Sequence, residues 1–156
     1  MKINTDAAIA MDDDFAGVGG VARSANALLG VWCKPYPGVT DPVIAKALAL
    51  RDGVIFANAR GYTHVVMETN CWEVVNLWKT RLNSRSVVAS ILSEIGELAL
   101  SFTFFIIQHV NMSANSPEHL CAKRACTLAV TESWLTETPS FLTSSLLTDC
   151  SANTFA

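Results

Sequence analysis

The apolar pattern of the chain opens with a strand. Lys2 to Ala10, KINTDAAIA, is largely apolar and carries a single carboxylate, Asp6. An ionised Asp in a half-buried strand is costly unless it is paired, hydrogen-bonded or holding a cation. Asp6 is therefore either a structural partner or part of a site. The Asp12-Asp13-Asp14 stretch suits a solvated turn, and Phe15 to Arg23 reads as a second strand. Its glycines, Gly17, Gly19 and Gly20, fit neither G-x-G-x-x-G nor a P-loop, and predict instead a strand closely approached by another backbone. Leu28 to Trp32 is a third strand that runs into a turn, Lys34-Pro35-Tyr36-Pro37-Gly38. The three form an antiparallel meander.

The pattern then turns helical. Asp41 supplies an N-cap and Pro42 a first helical position for a helix over Val43 to Arg60, with Gly61 placed to end it. Lys46 shares a stripe with Ala49, Leu50 and Gly53, at the edge of the buried face. His64 to Asn70 is a strand that points Glu68 and Asn70 to one side and Thr69 to the other. Asn70 also stands where it can cap a helix over Cys71 to Thr80, whose apolar side is drawn from Trp72, Val75 and Trp78 or from Val74, Leu77 and Trp78. A loop with Asn83 and Arg85 leads to an amphipathic helix over Val87 to Leu100. The strand Phe102 to Val110 follows, apolar enough to predict cover on both faces. Ser116 and Pro117 start a last helix that carries His119, Lys123 and Arg124. His109 and His119, taken singly, each read as structural. From Thr131 the chain is Ser/Thr-rich, with Trp134, Pro139, Phe141, Leu146 and Leu147 as anchors of a draped tail. This predicts an α/β domain over residues 1–130, with a five-stranded mixed sheet and helices packed on it, and a tail over 131–156.

Composition narrows the function classes. With 156 residues, 51% hydrophobic and 16% charged, the chain is long and apolar enough for one domain with a sizeable core. A net charge of -3 argues against a strongly basic nucleic-acid clamp, although a local patch is compatible with it. The cysteines, Cys33, Cys71, Cys121, Cys126 and Cys150, are odd in number and lack a C-x-x-C pair, which predicts reduced thiols and an intracellular protein, nuclear or cytoplasmic. No signal pattern or membrane-length apolar run is present. A monomer without membrane contact is expected.

The blocks KINTDAA, AGVGGVAR, AKALALRDGV, VVMETNCWEVV and HVNMSANSPEHLCAKRA occur in one order along nearly the whole chain. In that order they resemble the plant reverse-transcriptase-like ribonuclease H domains related to retroelements, which implies a ribonuclease H fold. The family chemistry is two-metal hydrolysis of the RNA strand of an RNA/DNA hybrid, with carboxylates holding Mg²⁺ or Mn²⁺. The resemblance puts Asp6 at the first family aspartate, Lys46 at the helix glutamate of A-E-A-x-A-L, and Asn70 at the aspartate of E-T-D. His119 stands where the wider superfamily has a further aspartate. One carboxylate remains, with Glu68 as a further candidate metal ligand beside Asp6. Asn115, Lys123 and Arg124 are implied as nucleic-acid contacts, with Arg81 and Arg85 as further backbone contacts. Three readings stay open: a hybrid- or RNA-binding domain with a degenerate metal site, which the charges favour; an active metal-dependent hybrid ribonuclease; and a retroelement remnant acting as a protein module or without function. The chain also opens directly on its first strand, as expected of a domain derived from a longer polyprotein.

Overall fold

The computed structural model describes residues 1–10, 12–80, 86–111, 116–135 and 137–146. The meander forms from β1 (Lys2–Ala10), β2 (Phe15–Arg23) and β3 (Leu28–Pro37). It continues through α1 (Pro42–Ala59), β4 (His64–Thr69), α2 (Trp72–Thr80), α3 (Val87–Leu98), β5 (Phe104–His109), α4 (Pro117–Leu128) and β6 (Glu132–Trp134). The strands lie in the order β5-β4-β1-β2-β3-β6. β4 runs parallel to both β1 and β5, and the remaining pairs are antiparallel.

Local chemistry accounts for the long helix. The Asp41 carboxylate accepts the Val43 and Ile44 N–H groups at 2.8 and 3.2 Å, satisfying donors that the first turn leaves orphaned. Gly61, at φ 74°, turns the chain away after it. The α1, α2 and α3 helices cover one sheet face over a core that includes Ile3, Leu50, Met67, Leu92 and Ile95. α4 covers part of the other face, over Val21, Val31, Cys33, Cys121 and Ala125. The β2 glycines explain how close α4 comes. A Cβ at Gly17 would lie 2.4 Å from the Ala122 carbonyl oxygen, and one at Gly19 would lie 2.4 Å from the Cys121 Cβ.

Four expectations are corrected. The sheet has six strands, because the tail contributes β6, too short for alternation to reveal. β3 runs on to Pro37 through the expected turn. Among the described residues β6 pairs with Val31, Trp32 and Cys33 alone, so Pro35 and Pro37 lie on open edge where a missing N–H costs nothing. β5 is an edge strand rather than one covered on both faces. Phe105 and Ile107 face the helices, while Phe104 and Ile106 are 46% and 36% exposed. An apolar run says that a strand is hydrophobic, and the topology decides what covers it. Finally, the Asn70 side-chain oxygen goes to Lys46 and Thr69 Oγ1 accepts the Cys71 N–H, so Asn70 is not the cap of α2. Ser116 does take the cap position of α4, although its side chain makes no cap bond.

Cys33, Cys71, Cys121 and Cys126 are free thiols. Among the described residues no helix is long and apolar enough to cross a membrane.

Candidate functional site

Alternation along β1 sends Ile3 and Thr5 toward Gly53 of α1 and turns Asp6 to the opposite face, toward α4. Asp6 is paired across the sheet with Gly19, whose bare backbone lies beneath Glu118, Cys121 and Ala122. The first turn of α4 is therefore within reach of a carboxylate on β1. The carboxylate is only 3% exposed.

Asp6 Oδ1 accepts the Ala7 N–H at 2.8 Å and lies 3.8 Å from the Lys46 ammonium. Oδ2 is 2.8 Å from His119 Nδ1. An ionised carboxylate only accepts, so Nδ1 is the donor of this bond. Lys46 also donates to Asn70 Oδ1 at 3.1 Å. The structure thus brings Asp6, Lys46, Asn70 and His119 into one connected group, drawn from β1, α1, the end of β4 and α4. Its formal charge is near zero.

The other candidates are placed elsewhere. Glu68 is buried, with Oε1 accepting from Asn4 at 3.1 Å, Oε2 accepting from Gln108 at 2.8 Å, and Lys2 at 3.8 Å. It lines a groove of about 450 Å³ together with Lys2, Asn4, Arg23 and Val66. Among the described residues Glu68 and Asp6 share no hydrogen-bond partner. Lys123 is exposed, one helical turn beyond His119. Arg124 is committed to the tail: Nε and Nη2 donate to Glu132 at 2.8 and 3.3 Å, and the guanidinium lies 4.6 Å from the Phe141 ring centre. Asn115, Arg81 and Arg85 fall outside the described residues. Among the described residues, no three His, Cys, Asp or Glu side chains converge as metal ligands.

Of the two sets offered for the apolar side of α2, the structure follows Val74, Leu77 and Trp78, and Trp72 is 57% exposed. It stands edge-on to His109 with the Lys79 ammonium 6.0 Å from its ring centre. A tryptophan at the first position of a helix was the available signal for a surface aromatic there.

A family model described as reverse transcriptase-like matches residues 4–125. The chain belongs to the reverse transcriptase-like family. Among solved structures, the fold of this reverse transcriptase-like chain is similar to ribonuclease H1 of the halophilic archaeon Halobacterium salinarum, with a TM-score of 0.71 and 16% identity over 83% of this chain and 98% of that one. It is similar to the N-terminal ribonuclease H domain of a Mycobacterium tuberculosis protein, with a TM-score of 0.71 and 20% identity over 82% and 95% of the two chains. It is also similar to LC11 ribonuclease H1 in complex with an RNA/DNA hybrid, with a TM-score of 0.71 and 16% identity over 82% and 97%. No curated protein sequence matches the chain.

Proposed function

We propose that this chain is a ribonuclease H-like domain that binds an RNA/DNA hybrid or structured RNA, and that its metal-site positions do not support metal-dependent cleavage. The observation that carries this reading is that both Asp6 oxygens are engaged from within the chain, by Ala7, His119 and Lys46. Mg²⁺ and Mn²⁺ call for several oxygen ligands, and Mg²⁺ for near-octahedral geometry. Around Asp6 stand one carboxylate, an amide oxygen already bonded to Lys46, and an imidazole whose Nδ1 is already bonded to Asp6. The Lys46 ammonium would oppose a divalent ion by about 8 kcal/mol at 4 Å with an effective dielectric near 20, twice the unit-charge value. The residues do not fit the metal pair. Glu68 would have to give up Asn4 and Gln108 to assist.

Binding is supported by other features. Trp72 and Lys79 offer an exposed aromatic ring and a cation on α2, the helix that follows Asn70, and Lys123 is exposed on the helix of His119. Similar structures were solved with RNA/DNA hybrid bound, LC11 ribonuclease H1 and a foamy viral protease-reverse transcriptase among them. Shape and 2'-hydroxyls are what such a surface reads. The five sequence blocks further support a place in the plant, retroelement-related branch, and we take the domain to act as a monomer in the nucleus or cytoplasm. The open β5 edge with Phe104 and Ile106 favours a second reading, a protein-interaction module.

The test is fluorescence anisotropy of a labelled hybrid across a salt series, together with cleavage assays in Mg²⁺ and in Mn²⁺ with Asp6→Asn as control. Salt-dependent binding without metal-dependent cleavage is expected. Metal-dependent cleavage that disappears in Asp6→Asn would overturn the reading, and absence of both would favour the second one. Charge repair is the companion prediction: the double change Lys46→Glu with Asn70→Asp should bring Mg²⁺ binding to a detectable level by titration calorimetry, with no binding expected for the chain as written.

A further inference from the structure

The same four side chains that reject a metal are arranged for proton transfer. His119 presents Nδ1 to a carboxylate that is 3% exposed, while its own side chain is 28% exposed. Nε2 lies across the ring from the nitrogen that faces Asp6. Among the described residues nothing hydrogen-bonds Nε2. A carboxylate behind Nδ1 fixes the tautomer that leaves Nε2 basic, and it stabilises the imidazolium that forms when Nε2 takes a proton. On the other oxygen of Asp6, the Lys46 ammonium is held by Asn70 at 3.1 Å and is 23% exposed. It has three donors, of which Asn70 takes one and Asp6 attracts another. A base and a cation are therefore held side by side on one buried anion.

We propose that Asp6, His119 and Lys46 form a metal-independent site for cleaving RNA through its own 2'-hydroxyl. The inference rests on the nucleic-acid reading above. His119 Nε2 takes the proton of the 2'-OH, and the 2'-oxygen attacks the adjacent phosphorus. The P–O5' bond breaks as the P–O2' bond forms, leaving a 2',3'-cyclic phosphate on one fragment. Water supplies a proton to the departing 5'-oxygen, and the imidazolium returns its proton to the hydroxide so formed. Lys46 remains an ammonium throughout and stabilises the charge that builds on the non-bridging phosphate oxygens. Asp6 is a positioning residue, acting through His119. No oxidant, metal or second substrate is consumed. The 2'-oxygen must come in line with the P–O5' bond, which stacked A-form geometry resists, so the substrate class is RNA whose linkage is free to unstack. DNA lacks the attacking group and is not cleaved.

The experiment incubates the purified full chain in EDTA with an end-labelled single-stranded oligoribonucleotide. In parallel it measures binding of the same sequence carrying 2'-O-methyl groups, which binds without reacting. Positioned acid-base groups contribute about 10²–10⁴-fold, so cleavage at least that far above buffer is expected, with cyclic-phosphate and 5'-hydroxyl ends. His119→Asn and Lys46→Gln, prepared identically to exclude a contaminating ribonuclease, should lose it while still binding the 2'-O-methyl strand. Asp6→Asn should lose it, and Asp6→Glu should recover part, which a merely structural role would not produce. Lys46→Gln changes a partly exposed end, so it keeps the test valid if the His119 variant fails to fold. Binding without cleavage, or cleavage that persists unchanged in both variants, overturns the proton-transfer site and leaves the binding reading standing. Failure to bind either the 2'-O-methyl strand or a hybrid overturns both.

Discussion

Tyr36 and Asp52 show how single residues of this chain carry both packing and charge. The Tyr36 hydroxyl sits 2.7 and 2.9 Å from the two Asp52 oxygens and accepts from Arg51 at 3.2 Å, while Arg51 also reaches Glu94 and Lys34 stands 4.0 Å from Asp52. Burial pushes the Tyr36 phenol above its usual range, and the Asp52 carboxylate adds to the shift. Burial raises the Asp52 carboxyl too, against the pull of the Tyr36 hydrogen bond and of the Lys34 and Arg51 charges. The folded chain therefore holds the Tyr36 proton more tightly than the unfolded chain does. Stability from this group is fully present below the ordinary tyrosine value, about 10, and is lost as pH rises through the higher folded value. Tyr36→Phe should cost about 1–3 kcal/mol at neutral pH, because a buried carboxylate loses a donor. It should also flatten the alkaline decline. Urea melts of both proteins at neutral and strongly alkaline pH check this, and an identical alkaline slope in the variant would show that Tyr36 does not set it. This network could not be read from the sequence, where Tyr36 looked like part of a turn. The Asp6 group was half legible. A lone carboxylate in a strand asked for a partner, and the family resemblance put Lys46, Asn70 and His119 at the same site, but no local pattern joins Asp6 to His119, which is 113 positions away.

Among elements, the packing of α4 on β2 decides the site. The glycine pattern of β2 announced a close approach, and the structure supplies the partner. A Cβ at Gly19 would meet Cys121 Cβ at 2.4 Å and the Ala122 backbone nitrogen at 2.6 Å, neither of which can swing away as a flexible side-chain tip would. Gly19→Val must lift α4, and α4 carries His119 while β1 carries Asp6. The expected result is a loss of at least about 1–3 kcal/mol by overpacking, together with separation of the His119–Asp6 pair. Chemical denaturation reads the first, and disappearance of the protected His119 Nδ1–H signal in NMR reads the second. Gly38→Ala is the contrasting case. Nothing lies within 4 Å of its Cβ, but φ is 82°, so the cost should be the backbone term alone, about 1 kcal/mol, with the Nδ1–H signal intact. α1 was legible because its stop and start signals are local: Asp41, Pro42 and Gly61. β3 was read short because prolines signal turns until it is known that their strand lies at an edge, and the exposure of β5 follows from strand order, which no single segment encodes.

The whole molecule depends on its tail. β6 extends the sheet beside β3 at Val31, Trp32 and Cys33, and Leu142 is fully buried against Val21, Val31, Cys33, Cys121 and Ala125. Arg124 fastens this segment from α4 through Glu132, Trp134 and Phe141. These contacts pull together three things that the sequence presents separately: a helix residue assigned to nucleic acid, a Ser/Thr-rich stretch, and the far edge of the meander. Leu142→Ala should cost about 2–5 kcal/mol, the usual range for emptying a well-packed leucine site. Shortening the chain to residues 1–130 should cost at least as much, because it also opens the β3 backbone and a buried apolar floor to solvent, and it should make the protein associate with rising concentration. Denaturation melts and sedimentation velocity of the two variants and the full chain test this. If the shortened chain matched the full one in both measurements, the tail would be an appendage and Arg124 would be released for phosphate. If it unfolds more easily while Leu142→Ala, studied where it is still folded, binds RNA as the full chain does, the two roles of α4 separate along the helix. Arg124 then holds the molecule together through the tail, and RNA binding does not depend on how tightly that tail is packed.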